Sequence, residues 1–540
     1  MIFRILKGFG FACGGSAPTA SSVAAQDQFL TAPKVSSELK HRAVRGGVFT
    51  VAAQVAGLAI QVISTIVLSR LLTPRDYGLV TMVTTFTLLL GNFGINGFTE
   101  AVIQQASITQ EQLSTLFWIN LGANAFLTLA FIVACPWIAS LYREPDLLAI
   151  GVAVSFSFLL YALGTMHLAL LKRNLQFRIV NLNQIGSMAI GLTVAIVGAC
   201  LGWGYWALVA NLLVTPFLTG AAAWVSCNWR PSLPKRGAGV GPLIRFAMNT
   251  YGHFCTNYGS RNLDKLLVGS VWGSKLLGHY KRAYDLFFMP VGLLPAALST
   301  VAIASLSPLR NEPERFRKYY LKTICVVAFI GMGLSAAFFV VGKELLRVLL
   351  GPKWDDAGRI FTFFAPGMGI ILIYSTNAWL HLSLGKAERL FRWGALELAV
   401  TAAAAAIASR FGPSVMAATW VGAFCLLIGP GLSYAGRPIG LTFRAVVSAA
   451  WPYTLAGVLS GSIGFSAHRF AVGISPSLTM KTALLRTVLL GSLTAVLYIG
   501  SLFLFPTSKS FGPLADVWKI LCPKWMQPSI LKTGRSLSGQ

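Results

Sequence analysis

The stretch GVFTVAAQVAGLAIQVISTIVLS, Gly47–Ser69, runs 23 residues without a charge. Coiled as an α-helix at ~1.5 Å per residue it reaches ~34 Å, enough to cross a hydrocarbon core of ~30 Å. Comparable runs recur as far as Phe505, and the composition agrees with them. Of 540 residues 55% are hydrophobic and only 11% are Asp, Glu, Lys or Arg, whereas a soluble domain is usually about a quarter charged. The chain therefore reads as an all-α polytopic membrane protein of about 14 transmembrane helices. The expected spans are 47–69, 78–103, 113–140, 147–170, 180–201, 204–227, 245–269, 280–307, 319–349, 357–384, 390–409, 414–435, 444–466 and 483–505. Breakers mark several gaps between them: Thr73-Pro74, Glu144-Pro145, Arg230-Pro231, Gly412-Pro413 and Arg437-Pro438.

The net charge of +27 would suggest nucleic acid in a soluble protein. In a membrane protein it has a topological cause, because cytoplasmic loops collect Lys and Arg. No basic-plus-aromatic motif for DNA or RNA occurs. An even number of spans puts both termini on one side. Placing them in the cytoplasm sends most of the 44 cations there as well, including Lys172/Arg173/Arg178, Arg230/Lys235/Arg236 and Arg310/Arg315/Arg317/Lys318/Lys322. Residues 1–44 read as a disordered cytoplasmic tail and 507–540 as a second cytoplasmic tail.

Catalytic and metal chemistry leave no trace in the sequence. Eight cysteines, at 13, 135, 200, 227, 255, 325, 425 and 522, form no CxxC pair, and six histidines form no HExxH pattern. No catalytic residue, metal or cofactor is expected. No connection is long enough to fold as a soluble domain, so the protein's work is expected to be done within the membrane.

An internal correspondence appears when LSRLLTPRDYGLVTM from Leu68 is set above VGSVWGSKLLGHYKR from Val268. Gly78 falls on Gly278, Arg75 on Lys275, Leu71 on Val271 and, upstream, Arg45 on Arg245. This predicts two six-helix bundles, 45–230 and 245–436, followed by two additional helices over 443–506. Six spans per half makes the repeats parallel. Such repeats build transporters that hold substrate in a central cavity between the halves and rock for alternating access.

The seventh span carries the densest charge. Its uncharged run from Phe246 to Ser260 is 15 residues, about 22 Å of helix, too short to cross. To span, the helix must take Arg261, Asp264 and Lys265 into or to the edge of the membrane, where each ionised group is costly and usually faces a partner or a wet cavity. Arg245, Asn249, His253, Asn257, Arg261 and Lys265 stand four apart, a polar ribbon on one winding face. The bland reading is an interfacial Arg261–Asp264 ion pair with Lys265 snorkelling outward. The functional reading is a cationic lining, with Arg261, Asp264, Lys265, Asn257, His253 and Asn249 as substrate-binding residues for an anion. Glu397, alone among alanines, and Glu100, after GNFGINGFT, are candidate ion-coupling sites. Arg282 and Asp285 look like a local pair, and Asp355-Asp356 like a solvated turn.

The blocks RGGVFTVAAQVAGLAIQVISTIVLSRLLTPRDYGLVTMV (Arg45–Val83) and RNLDKLLVGSVWGSKLLGHYKRAYDLFFMPVGLLPAALSTVAIASLSPL (Arg261–Leu309) resemble the polysaccharide flippases of the MOP superfamily. These are the Wzx-type transporters of lipopolysaccharide and exopolysaccharide biosynthesis. The second block carries the RNxD, LG-x-Y and Y-x-L-x-x-x-P features, and the likeness covers about 42–440. It implies two parallel bundles around a cavity in the bacterial inner membrane. It also implies translocation of an oligosaccharide on an undecaprenyl pyrophosphate carrier, with membrane lipid as surroundings and a polysaccharide polymerase and export machinery as partners. Arg261 is the position carried over, since a guanidinium pairs with phosphate through a planar fork; Asp264 would orient it, and Lys265 departs from the pattern. The rival readings are a peptidoglycan-precursor flippase, a drug or cation antiporter and, from another class, a polysaccharide polymerase, ligase or glycosyltransferase. Cationic drugs would favour cavity carboxylates, and an enzyme would need a larger external loop.

Overall fold

The computed structural model describes residues 37–105, 107–235, 237–474 and 479–505. The first 36 residues of the expected N-terminal tail and the whole of 507–540 lie outside them. The elements described are helical throughout. In chain order they are α1 (Ser37–Leu71), α2 (Pro74–Gln104), α3 (Gln110–Tyr142), α4 (Asp146–Arg173), α5 (Phe177–Cys200), α6 (Tyr205–Ser226) and α7 (Gly241–Leu306). There follow α8 (Pro313–Leu350), α9 (Asp355–Phe364), α10 (Met368–Ser383), α11 (Ala387–Ala408), α12 (Pro413–Gly436), α13 (Phe443–Ile474) and α14 (Met480–Leu502).

Among the described residues twelve helical segments are long and apolar enough to cross a membrane, with α9 and α10 together counting as one, Pro352–Ser383. The two expected spans that do not qualify, 245–269 and 280–307, are the limbs of α7. That helix bends at Gly273, whose φ of 79° is open to glycine at no steric cost. Its limbs carry Arg261, Asp264, Lys265, Lys281, Arg282 and Asp285, and these depress the apolar signal. The chain is a multi-pass helical membrane protein in which one long element breaks the uniform hydropathy.

Local chemistry fixes the helix ends. Thr73 closes a capping box on α2, its backbone N–H donating to Asp76 Oδ2 at 2.8 Å while its hydroxyl accepts from the Asp76 N–H at 3.3 Å, with Pro74 at the first helical position. Thr109 and Gln112 do the same for α3. At the other end of α2, Arg173 reaches across from α4 and donates to the carbonyls of Val102 and Gln105 at 2.7 and 2.6 Å. Carbonyls that the helix end would leave without partners are thereby satisfied.

Contacts divide the chain into two compact units, with the break after Gly278, inside α7. In the first, α4 packs on α2, α3 and α6, and α5 packs on α6 and α1. The core is apolar, with Phe98, Leu116, Phe117, Met166 and Leu170 buried around Trp229. In the second, α8 is the hub, packing against α9, α10, α13 and α14. The last two helices are thus part of that unit's core. The expected halves, 45–230 and 245–436, follow sequence correspondence; the contact division follows where each limb of α7 packs.

One crossing in the first unit is very close. A Cβ added at Gly78 would lie 1.7 Å from the Ser274 carbonyl oxygen, and one at Gly278 would lie 1.8 Å from that of Pro74. The two contacts are reciprocal, Gly78 on Ser274 and Gly278 on Pro74. Only glycine lets the two backbones approach so nearly.

Candidate substrate-binding site

The first limb of α7 lies against α2. The Tyr251 hydroxyl donates to the Leu89 carbonyl at 2.8 Å and the Tyr258 hydroxyl to the Thr85 carbonyl at 2.9 Å. The rings of Tyr251, Phe254 and Tyr258 form a ladder with centroids 6.1 and 5.6 Å apart. Ala247 seats against Gly97, where an added Cβ would come within 2.8 Å of its carbonyl oxygen. Tyrosine satisfies both demands here, an apolar body for the contact and a hydroxyl for a backbone acceptor.

The polar ribbon starts on the opposite side. Each step of four residues advances about 40° around the axis, so the five steps from Arg245 to Lys265 turn about 200°. Burial follows that drift: Arg245 and Asn257 are exposed, Arg261 is half-buried, and Lys265 is 2% exposed. The side chains of Asn249 and His253 lie outside the described residues. The ribbon thus runs from an open face into the packed one, and its cationic end is the buried end.

Lys265 does not snorkel. Its ammonium donates to the Arg261 carbonyl at 2.6 Å and lies 3.4 Å from Asp264 Oδ1, with side-chain exposures of 2% and 1% for the pair. An ion pair this dry persists only when its remaining hydrogen-bonding capacity is also met. The carbonyl of Arg261 supplies part of that. Arg261, Asp264 and Lys265 are therefore one group on one turn and a half of helix, and the neighbouring Ser260, 3% exposed, donates back to the Asn257 carbonyl at 2.9 Å.

The two candidate coupling carboxylates differ. Glu100 is exposed in the last turns of α2. Glu397 belongs to the second unit and is 8% exposed; the Tyr374 hydroxyl donates to its Oε2 at 2.7 Å, and Trp393 Nε1 donates to that hydroxyl at 2.7 Å. Arg282 and Asp285 approach to 3.7 Å, and Lys281 also pairs with Asp285. Asp355 and Asp356 open α9, where Asp355 meets Arg347 at 2.6 Å and Asp356 meets Arg359 at 3.4 Å. Both aspartates lie in the first turn, where a helix favours negative charge.

Sequence reasoning missed a cluster in the second unit. Glu344, 2% exposed, accepts from His468 Nε2 at 2.7 Å and lies 4.0 Å from Arg486. Its members come from α8, α13 and α14, so no spacing along the chain announces them.

The family described as "Polysaccharide biosynthesis protein" matches residues 67–359. "Lipopolysaccharide biosynthesis protein WzxC" of Escherichia coli (strain K12) is 22% identical over 324 residues, 59% of this chain and 65% of that protein. "Teichuronic acid biosynthesis protein TuaB" of Bacillus subtilis (strain 168) is 23% identical over 396 residues, 72% of this chain and 82% of that protein. Among solved structures, the lipid II flippase MurJ in an inward closed conformation superposes with a TM-score of 0.66 at 14% identity, over 85% of this chain and 98% of that one. An inward-facing multidrug resistance MATE transporter of the MOP superfamily gives 0.57 at 13% identity, over 71% and 94%.

Proposed function

The chain belongs to the polysaccharide biosynthesis protein family, and from that premise we propose that it is a flippase for lipid-linked oligosaccharides. Its substrate is a repeat unit on an undecaprenyl pyrophosphate carrier, moved from the cytoplasmic to the periplasmic leaflet of the bacterial inner membrane by alternating access. The observation that carries this reading is the cationic end of the α7 ribbon. A chain with 11% charged residues holds Arg261, Asp264 and Lys265 together on a helix whose uncharged run cannot cross the bilayer. Ionised groups kept at membrane depth are costly and mark a substrate path.

The chemistry fits a pyrophosphate. Arg261, Asp264 and Lys265 together carry one net positive charge, and the half-buried Arg261 guanidinium would meet the phosphate. Arginine presents a planar fork to phosphate oxygens. Asn257, on the exposed stretch of the ribbon one turn away, would offer an amide to the sugars; Asn249 and His253 stay candidates by their place on the same ribbon. The parallel halves, 45–230 and 245–436, would enclose the cavity, and both termini would be cytoplasmic. Such a protein breaks no bond; it lowers the cost of carrying a polar head through hydrocarbon. Glu397 and Glu100 are the candidates for coupling that movement to an ion, and a polymerase with its export machinery would receive the product.

Reconstitution tests this reading. Vesicles containing the protein and an undecaprenyl-pyrophosphate oligosaccharide labelled in the inner leaflet should expose sugar to an external lectin, and protein-free vesicles should not. Equal exposure in both would overturn it. A cation antiporter, favoured by the MATE-like fold, would instead move a fluorescent cationic drug in the same vesicles, and the cationic ribbon argues against that outcome.

A further inference from the structure

The second unit contains a cleft that the proposed transport leaves unused. It has a volume of about 490 Å³ and lies among α8, the end of α9 and the segment after it, α12 and α13. Phe339, Phe363 and Phe465 line its apolar part, with Phe363 46% and Phe465 40% exposed. Lys343, Glu344 and His468 line its polar part.

Two features define what this cleft can hold. The first is depth. The 20 uncharged residues between Lys322 and Lys343 on α8 make about 30 Å of helix, the thickness of a hydrocarbon core. Lys343 and Glu344 therefore sit at the boundary between acyl chains and headgroups, while Phe339 lies one turn deeper. The second is an unmet acceptor. Glu344 Oε1 takes the His468 hydrogen bond, but buried Glu344 Oε2 has no partner among the described residues, nor has His468 Nδ1. An unsatisfied oxygen on a carboxylate 2% exposed is expensive, and a donor arriving in the cleft would remove that cost. Next to this acceptor along α8 stands the ammonium of Lys343. A ligand that completes the site must bring a charged donor, an anion and an apolar chain.

We propose that the cleft binds a phospholipid with a primary-amine headgroup. The lipid ammonium donates to Glu344 Oε2, its phosphate pairs with Lys343, and an acyl chain runs along Phe339, Phe363 and Phe465. A trimethylated headgroup has no N–H to donate to the carboxylate. A phosphatidylglycerol brings the phosphate without the cation.

Native mass spectrometry of the detergent-purified full chain tests this with an equimolar mixture of phosphatidylethanolamine, phosphatidylcholine and phosphatidylglycerol. The wild type should retain phosphatidylethanolamine selectively. Glu344→Gln should reduce that retention about tenfold or more, the loss of a hydrogen bond between charged groups. Gly422→Leu is the independent variant: Gly422 lines the cleft and nothing lies within 4 Å of an added Cβ, so the leucine fills the groove with Glu344 left in place. It should abolish retention of the lipid. Soluble phosphoethanolamine, lacking chains, should not displace it. Equal retention of the three lipids, unchanged retention in Gly422→Leu, or displacement by the chainless headgroup would overturn the proposal.

Discussion

Replacing Asp264 by Asn removes one charge from a pair that the fold keeps dry. Lys265 is 2% exposed and its nitrogen lies 3.4 Å from Asp264 Oδ1. At that distance and an effective dielectric of ~20 the Coulomb attraction is about 5 kcal/mol. Breaking a buried pair from one side costs about 3–5 kcal/mol, because the remaining charge stays buried. Asp264→Asn and Lys265→Met should each therefore lose about 3–5 kcal/mol. The double variant Asp264→Leu/Lys265→Met removes both charges of the pair and should recover most of that loss. Equilibrium unfolding in mixed micelles, run as a double-mutant cycle with Asp264→Leu as the second single variant, measures the coupling directly. Single costs that add in the double variant would refute the buried pair.

Other perturbations follow from the packing. Gly278→Ala sets a methyl 1.8 Å from the Pro74 carbonyl, so α2 must retreat more than 1 Å to reach even the ~3.0 Å limit of real Cβ contacts; the loss should exceed the ~1–3 kcal/mol of ordinary overpacking and appear as a fall in monodisperse protein on size exclusion. Gly252→Ala, with nothing within 4 Å of the new methyl, is the control and should stabilise by about 0.5–1 kcal/mol. Tyr374→Phe takes the donor from Glu397 Oε2 and should cost about 1–3 kcal/mol in the same unfolding assay. Thr73→Ala opens the α2 capping box and should cost about 1 kcal/mol.

The membrane architecture was legible because hydropathy and breakers are local. Thr73-Pro74, Glu144-Pro145 and Gly412-Pro413 all fall at helix junctions, since a proline or a cap acts on its own turn. The polar ribbon was legible for the same reason. The burial of Lys265 was not, because it depends on how far the ribbon has rotated when it meets α2, and that contact is made by Tyr251 and Tyr258, which are not members of the ribbon. Setting Gly78 on Gly278 gave no hint that Gly78 meets Ser274 and Gly278 meets Pro74. Glu344 and His468 are 124 residues apart, and Glu397 gave no sign of Tyr374. Side-chain partners brought together by tertiary packing leave no period in the chain.

The most direct measurement on the proposed function is export by Arg261→Ala and Arg261→Lys in a host lacking its own flippase, with membrane levels checked by blot. Wild-type protein should restore surface polysaccharide, Arg261→Ala should abolish it, and Arg261→Lys should restore little, because an ammonium cannot reproduce the guanidinium fork. Normal export by both variants at wild-type levels would contradict a phosphate-binding role for the α7 ribbon.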